Sequence, residues 1–280
     1  MAITVYTYND KVLKNVATDK WLKKAAAPLP PIASNTVRVR TSDGNAPTKD
    51  SYTTYQTATL VQGTSDIYDV YKVGTDFSNL LGGSTNVVEV LGANTTGITN
   101  MGGAFGACSS LTTVPLFDTS SVTNMSWIFY GCSSLTSIPL FDTSSVTDLS
   151  QAFNGCTSLT SVPLFDLSNV TTLQGTFMGC SSLTTLPLFN TSKVADMDNA
   201  FRNITALTAI PLFNTSKVTS PTCAFAGCTN VESGALALYN QMSTQTTPPR
   251  SHYGTFNNCG SNTTTGAAEL AQIPSDWKDI

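Results

Sequence analysis

Hydrophobic residues recur every 24 positions along most of this chain. A phenylalanine column runs through six successive copies without a gap, and leucine, proline and valine columns keep the same register. The phenylalanines are Phe105, Phe129, Phe153, Phe177, Phe201 and Phe225. Cysteines follow the same 24-residue lattice, with Ile204 at its single vacant position: Cys108, Cys132, Cys156, Cys180 and Cys228. Several independent columns in one register indicate a tandem repeat.

Each copy combines two periodicities. Residues 111–116 follow the L-x-x-L-x-L spacing of a leucine-rich repeat, which predicts a short strand with Val114 and Leu116 on one face. Residues 122–129 carry apolar side chains at i, i+3 and i+7, which predicts a helical turn. Gly131 follows at the point where a helix C-terminus favours a positive φ. We therefore predict an α/β repeat solenoid, a right-handed, leucine-rich-repeat-like stack of about seven strand-plus-helix coils.

The pattern divides the chain into three segments. Residues 1–26 form an N-terminal anchor segment, residues 27–83 a proline-rich linker and a mainly β capping region, and residues 84–280 the repeat solenoid with a C-terminal cap. Alternating patterns predict strands at residues 3–8, 36–40, 58–62 and 67–73. Helical patterns occur at residues 11–26 and 235–242. Trp277 is placed to cover the open end of the stack.

The composition narrows the class of protein. Charged residues make up 11% of the chain, against about 25% in a typical soluble domain, whereas Thr and Ser number 44 and 30. Large apolar residues run through the whole chain, so disorder is excluded. A net charge of −4 argues against a nucleic-acid partner. No apolar run is long enough for a membrane span, and the N-terminus lacks the pattern of a secretory signal.

The candidate chemistry favours neither an enzyme nor a cofactor nor a metal site. Lattice cysteines are one coil apart, farther than a disulfide prefers, so we expect buried free thiols and leave only a Cys223–Cys228 bridge open. His252, the only histidine, has no evident nucleophile and carboxylate partner. One further column reads Asp118, Asp142, Asp166, Asn190 and Asn214. Because Asn replaces Asp, this column suits an Asx-turn better than a calcium ladder or a glycosidase pair.

Two columns vary between copies and indicate an exposed face. One reads Gly103, Trp127, Gln151, Gly175, Asn199 and Cys223, and the other reads Gly106, Tyr130, Asn154, Met178, Arg202 and Ala226. Trp127 and Tyr130 are expected to lie close together and to stack on a sugar or on a partner's side chain. Met178 and Arg202 complete the predicted binding residues. The alternative is that these aromatic residues are isolated surface side chains.

Two other sets of residues allow alternative interpretations. One set is a second phenylalanine column, which directly follows Leu116 and its equivalents: Phe117, Phe141, Phe165, Phe189 and Phe213. These side chains form either an exposed stripe that grips a ligand or a buried column. We favour burial, because exposed phenylalanines promote association. The N-terminal lysines form either a solvated helix face or a surface that docks onto an acidic partner: Lys11, Lys14, Lys20, Lys23 and Lys24.

The unit Phe-Asp-Thr-Ser-Ser-Val-Thr-Asn-Met resembles the BspA-type leucine-rich repeats of bacterial surface proteins. The resemblance covers residues 84–280, roughly 70% of the chain. The tail, at residues 234–239 and 273–277, resembles copies found in phage and prophage virion proteins of gut bacteria.

This resemblance implies a non-enzymatic phage virion protein. It would serve as a head fibre, tail fibre, spike or decoration, held to other virion proteins through the N-terminal lysines. Its repeats would contact host-surface glycan or protein. A purely structural virion subunit with its repeat faces buried, and a bacterial cell-surface adhesin, are the alternatives, and a homo-oligomer stays open.

Overall fold

A computed structural model describes residues 7–8, 11–12 and 28–279, in two compact units, residues 1–31 and 32–280. In the first unit, β1 (Thr7–Tyr8) pairs with β2 (Lys11–Val12) in antiparallel register. The helix predicted at residues 11–26 is therefore wrong at its first two positions. Of the predicted anchoring lysines, Lys11 is described only as part of β2, and four lie outside the described residues: Lys14, Lys20, Lys23 and Lys24.

The second unit begins with a four-stranded antiparallel sheet. Its strands are β3 (Thr36–Thr41), β4 (Thr57–Leu60), β5 (Ile67–Tyr71) and β6 (Val87–Asn94), in the order β4-β5-β3-β6. The sequence predicts the first three, because their patterns alternate. It misses β6, whose valines also fit the repeat lattice. β6 belongs both to this sheet and to the repeats, since it pairs with β3 and its Glu89 bridges to Thr113 in the first repeat.

Successive repeat copies lie side by side and pair along their edges. Among the residues that the structure describes, eight isolated bridges occur, and all of them are parallel and join residues 24 positions apart. Six of them form one line through Asp76, Asn100, Asn124, Asp148, Thr172, Asp196 and Ser220. This line begins before residue 84, so the 24-residue pairing extends into the region predicted as a cap. The assignment to a right-handed leucine-rich-repeat-like solenoid, and the division into three segments, stay predictions.

The predicted helix of each copy is replaced by a series of tight turns. Alternate N–H groups donate to the next copy, from Met125, Trp127, Phe129 and Gly131 to the carbonyls of Asp148, Ser150, Ala152 and Asn154. The N–H groups between them donate three residues back, from Ile128, Tyr130 and Cys132 to Met125, Trp127 and Phe129. Trp127 and Gly131 have φ values of 61° and 67°. These left-handed residues interrupt a helix and turn every second N–H toward the neighbouring coil.

The short strand predicted at residues 111–116 is also absent from the repeats described, and the leucine that ends it lies outside the core. Phe141 donates its N–H to the Pro139 carbonyl at 2.9 Å, which closes a three-residue γ-turn with Leu140 at its centre. The turn places Leu140 outward, 58% exposed, and Phe141 inward, 3% exposed. Leu116 is likewise exposed and Phe117 buried, whereas Val114 is buried, so the expectation that Val114 and Leu116 share one face is wrong. Burial of the Phe117 column is confirmed.

Stacked aromatic rings run through the core of the repeats. Neighbouring rings of the Phe105 column have centroids between 5.0 and 5.9 Å apart, as in the pairs Phe201–Phe225 and Phe177–Phe201. Trp277 is buried and stacks on Phe256 at the C-terminal end, in the place where the sequence predicts a cover. Around it lie α1 (Ala235–Ser243), α2 (Thr264–Gln272) and a short 3₁₀ helix, Ser275–Trp277. No helix in the described part of the chain is long and apolar enough to cross a membrane.

Alanine substitutions at the adjacent residues Leu140 and Phe141 test which of the two side chains belongs to the core. Phe141→Ala is expected to lower the free energy of unfolding by about 3–5 kcal/mol, because it empties a buried ring site. Leu140→Ala is expected to change it by less than about 0.5 kcal/mol, because the side chain is already exposed. Urea denaturation of the two variants measures both values. A larger loss for Leu140→Ala than for Phe141→Ala would contradict the γ-turn arrangement.

Candidate binding site

The two variable columns form one outer face, and their spacing follows from backbone conformation. Every residue of the column Gly103, Trp127, Gln151, Gly175, Asn199 and Cys223 has a φ between 55° and 65°. In three coils the side chain three positions later also contacts the side chain of the column residue: Trp127 packs on Tyr130, and Asn154 and Arg202 donate hydrogen bonds to Gln151 and Asn199. We call these two columns the variable face.

Trp127 and Tyr130 provide the aromatic part of the variable face. Their ring centroids are 4.7 Å apart with an interplanar angle of 49°. Trp127 is 46% exposed and Tyr130 is 38% exposed. The predicted proximity of these two residues is present in the structure, and their tilted contact presents a continuous apolar surface to solvent.

A groove of about 450 Å³ lies beside the aromatic pair. Its floor is made of residues without a side chain or with a methyl group: Gly82, Gly83, Gly103, Gly106 and Ala107. Trp127 and Tyr130 line the groove, as do Tyr52, which is 71% exposed, and Asp50. Two of these glycines, Gly83 and Gly103, have a positive φ and lie directly against polar side chains of the groove. A β-carbon on Gly103 would overlap the amide of Asn79, and one on Gly83 would overlap the carboxylate of Asp50.

The polar groups of the groove are fixed by local hydrogen bonds. Asp50 Oδ1 accepts from the N–H groups of Tyr52 at 2.8 Å and Thr53 at 3.0 Å. The Tyr52 N–H has the largest part in lowering the pKa of Asp50, so the carboxylate is ionised at neutral pH. Within the described residues, Asp50 Oδ2 and the exposed side-chain amide of Asn79 make no hydrogen bond. Both are therefore available to ligand hydroxyls.

A second, more polar recess of about 330 Å³ adjoins the same indole. It is lined by Asn79, Asn100, Asn124, Ser126 and Trp127, among others. Asn100 and Asn124 each accept a backbone N–H through Oδ1, from Gly102 and Ser126. These Asx-turns hold the amides in place along the coil edge. Trp127 thus stands between an apolar groove and a row of amides.

Met178 and Arg202 lie on the same face but away from this groove. Both are half-buried, and their carbonyls accept the N–H groups of Gly155 and Gly179 in successive coils. Because coils are about 4.8 Å apart, these residues are two and three steps beyond Tyr130. Arg202 donates to Asn199 at 3.1 Å, while its Nε is buried and has no hydrogen-bond partner among the described residues. The structure therefore brings together two of the four predicted binding residues.

Six of the seven cysteines donate a thiol hydrogen bond to a backbone carbonyl. All seven are free and buried, including Cys223 and Cys228, so the bridge that the sequence leaves open is not formed. Cys132 Sγ donates to the Phe105 carbonyl at 3.0 Å, and Cys156 Sγ donates to the Phe129 carbonyl at 3.2 Å. Burial raises the pKa of the Cys108, Cys156 and Cys228 thiols to about 12. Thiols of this kind are weak nucleophiles and poor metal ligands.

Thiol titration tests this arrangement. At about pH 8 the native protein is expected to show no thiol that reacts with an aromatic disulfide reagent within minutes, because thiolates are both buried and disfavoured. In denaturant all seven should react. Because folding raises the thiol pKa values, the native state retains protons that the unfolded state loses above about pH 9. The contribution of the thiols to the free energy of unfolding therefore falls as pH rises toward 12. Only five reactive thiols in denaturant without reductant would reveal a disulfide.

The remaining candidate chemical groups have structural roles. Ser120 and Ser144 donate their N–H and hydroxyl groups to Oδ1 of Asp118 and Asp142, which confirms the predicted Asx-turns. These bonds lower the pKa of both aspartates, the serine hydroxyl having the largest effect. His252 stacks on Trp277 at 4.3 Å, and its Nε2 lies 3.1 Å from Oδ2 of Asp276, so the expectation that it has no carboxylate partner is wrong. Among the described residues, no group of three His, Cys, Asp or Glu side chains is arranged to hold a metal ion.

Sequence reasoning missed the half of the groove that precedes the repeats. Asp50, Tyr52 and Asn79 lie outside the clear lattice, so no column placed them near Trp127. One signal was available. Gly82-Gly83 and Gly102-Gly103 are doublets 20 residues apart, and glycine replaces the larger side chains that later coils carry at the variable face.

The chain matches a known family in three overlapping stretches. A family model described as a Mycoplasma protein of unknown function, DUF285, matches residues 51–161, 75–187 and 135–239. Together these stretches cover residues 51–239, more than half of the chain. Overlapping matches to one model are expected from tandem repeats. None of the curated proteins compared with the chain matches it.

Proposed function

Since the chain belongs to the DUF285 family, which has no known function and is related to the BspA-like repeat proteins, we propose that it is a non-enzymatic attachment protein. Its groove beside Trp127 and Tyr130 binds a host-surface glycan. The repeats present this site, and the N-terminal segment attaches it to a phage particle. The proposal rests on the geometry of the groove, and its virion setting rests on the resemblance of the tail to phage proteins.

The backbone conformation of Trp127 is the observation that carries the proposal. A left-handed conformation is unfavourable for a bulky residue, and such strain often marks a functional position. The other coils place Gly, Gln, Asn or Cys at this position. Trp127 is 46% exposed, so a large part of its indole faces solvent. A strained and exposed indole is explained if a ligand covers it.

The chemistry of the groove suits a neutral or amine-bearing sugar. The faces of Trp127 and Tyr130 match the apolar face of a pyranose ring, while Asp50 and Asn79 match its hydroxyls. Glycosidases in most families use a pair of carboxylates. Asp50 is the one carboxylate that lines this groove among the described residues, which favours binding over hydrolysis.

Glycan-array screening of the full chain, followed by calorimetry on the best ligand, tests this site. Trp127→Gly is expected to weaken binding at least about tenfold, because it removes the stacking surface. The variant should fold normally, since glycine is favoured at a φ of 61°. Tyr130→Ala should weaken binding to a similar extent.

Gln151→Gly is the matched control, because Gln151 occupies the same column and conformation one coil later. This variant should bind like the parent protein. Equal binding by all variants would contradict the site. No glycan binding, together with a virion map in which neighbouring subunits cover the groove, would support the purely structural virion subunit instead.

The virion setting has its own test. Antibody against this chain should label phage particles released from a strain that encodes it, and the label should lie on an external fibre, spike or decoration. Label confined to the bacterial envelope would support the cell-surface adhesin and would contradict a virion location.

A further inference from the structure

A row of exposed leucines crosses five consecutive coils on a face that the attachment site does not use. Their exposed fractions are 65%, 58%, 60%, 63% and 56% for Leu116, Leu140, Leu164, Leu188 and Leu212. We call this row the leucine stripe. Half-buried prolines precede each leucine and extend the apolar surface. γ-Turns hold the last four of these leucines outward, because the phenylalanine after each one donates its N–H to the carbonyl of the proline before it, so their exposure is built into the backbone.

The charges beside the leucine stripe change sign along its length. Two residues after each leucine, the first three coils carry Asp118, Asp142 and Asp166, and the last two carry asparagine. Three residues further on, the last two coils carry Lys193 and Lys217 where the earlier coils have Ser or Asn. All five charged side chains are exposed. None of them takes part in an ion pair within the described residues.

We propose that the leucine stripe binds a second copy of this chain in antiparallel orientation. A twofold axis that passes through the two Leu164 side chains, perpendicular to the stack, sets Leu140 against Leu188 of the other copy and Leu116 against Leu212. The same operation brings Asp142 of one copy to the coil of Lys193 in the other, and Asp118 to the coil of Lys217. The surface is complementary to itself only in this orientation.

A parallel dimer lacks this complementarity. A twofold axis along the stack puts the two charged columns on opposite sides of the leucine stripe, so no aspartate meets a lysine. Only the apolar contact would then favour association. Antiparallel pairing therefore gives the stripe one register and one direction.

The area of the stripe agrees with a dimer of modest affinity. Five leucines at these exposures present on the order of 500 Å² of apolar surface, near the upper end of the largest patch on a typical monomer. Two such stripes bury about 1,000 Å², which is close to the lower limit for a specific interface, and the prolines and charged columns add to it. We expect an equilibrium between monomer and dimer in the micromolar range.

Sedimentation equilibrium of the full chain, from about 1 to about 100 μM, measures this equilibrium. The mass should rise from 29.6 kDa toward twice that value. Leu164→Glu should hold the chain monomeric, because it places two like charges at the twofold axis. Gln174→Glu adds the same charge to an exposed position ten residues along the same coil and should dimerise like the parent.

The charged residues test the orientation. Asp142→Asn and Lys193→Ser use residues found at the same positions in other coils, so both should fold. Each should weaken the dimer roughly fivefold, because twofold symmetry removes two contacts at once. The double variant should be no weaker than either single variant, because the two changes remove one interaction. Asp166 lies next to the twofold axis and faces Asp166 of the other copy. Asp166→Asn therefore removes no attractive contact and should not weaken the dimer.

Three outcomes would overturn the proposal. One is a chain that stays monomeric at the highest concentration, which would leave the stripe to a different partner. Another is a dimer that Leu164→Glu does not affect. The last is additive loss in Asp142→Asn/Lys193→Ser, which would show that these residues do not meet. Glycan binding by the Leu164→Glu variant should equal that of the parent, so this test is separate from that of the attachment site.

Discussion

The structure depends on backbone hydrogen bonds that run from one repeat copy to the next. They form because left-handed residues recur in each coil and turn alternate N–H groups toward the neighbouring coil. A helix would satisfy the same groups internally and leave the coils to associate through side chains alone. With alternate bonds directed between coils, each copy can form these inter-coil hydrogen bonds only beside another copy. This requirement explains why the 24-residue register is kept so strictly.

The unusual composition follows from the same requirement. Thr123, Thr147 and Thr171 each donate a hydroxyl to the carbonyl of the threonine one coil earlier, at 3.2–3.3 Å. The buried cysteines donate to carbonyls of the phenylalanine column in the same way. Hydroxyl and thiol groups thus add to the bonds between coils without introducing charge. A chain with 11% charged residues can form a stable core when small polar side chains serve this purpose.

The sequence predicted the repeat, its register, the buried phenylalanines and the proximity of Trp127 to Tyr130. It did not predict the conformation within each coil. Apolar spacing at i, i+3 and i+7 reports which side chains face the core, and a series of turns meets this condition as well as a helix does. The mixture of Gly, Gln and Asn in the Trp127 column is typical of a left-handed backbone position. We predict from this mixture only that the column is exposed. Half of the groove was missed because Asp50 and Tyr52 belong to no column.

Scalar couplings across hydrogen bonds, measured by NMR on deuterated protein, detect the hydrogen bonds between coils. The Phe129 amide is expected to couple to the carbonyl of Ala152, 23 residues ahead in the next coil. The Trp127 amide should likewise couple to the Ser150 carbonyl. Coupling of Phe129 to the Met125 carbonyl, four residues back, would show a helix within each coil and would contradict the account.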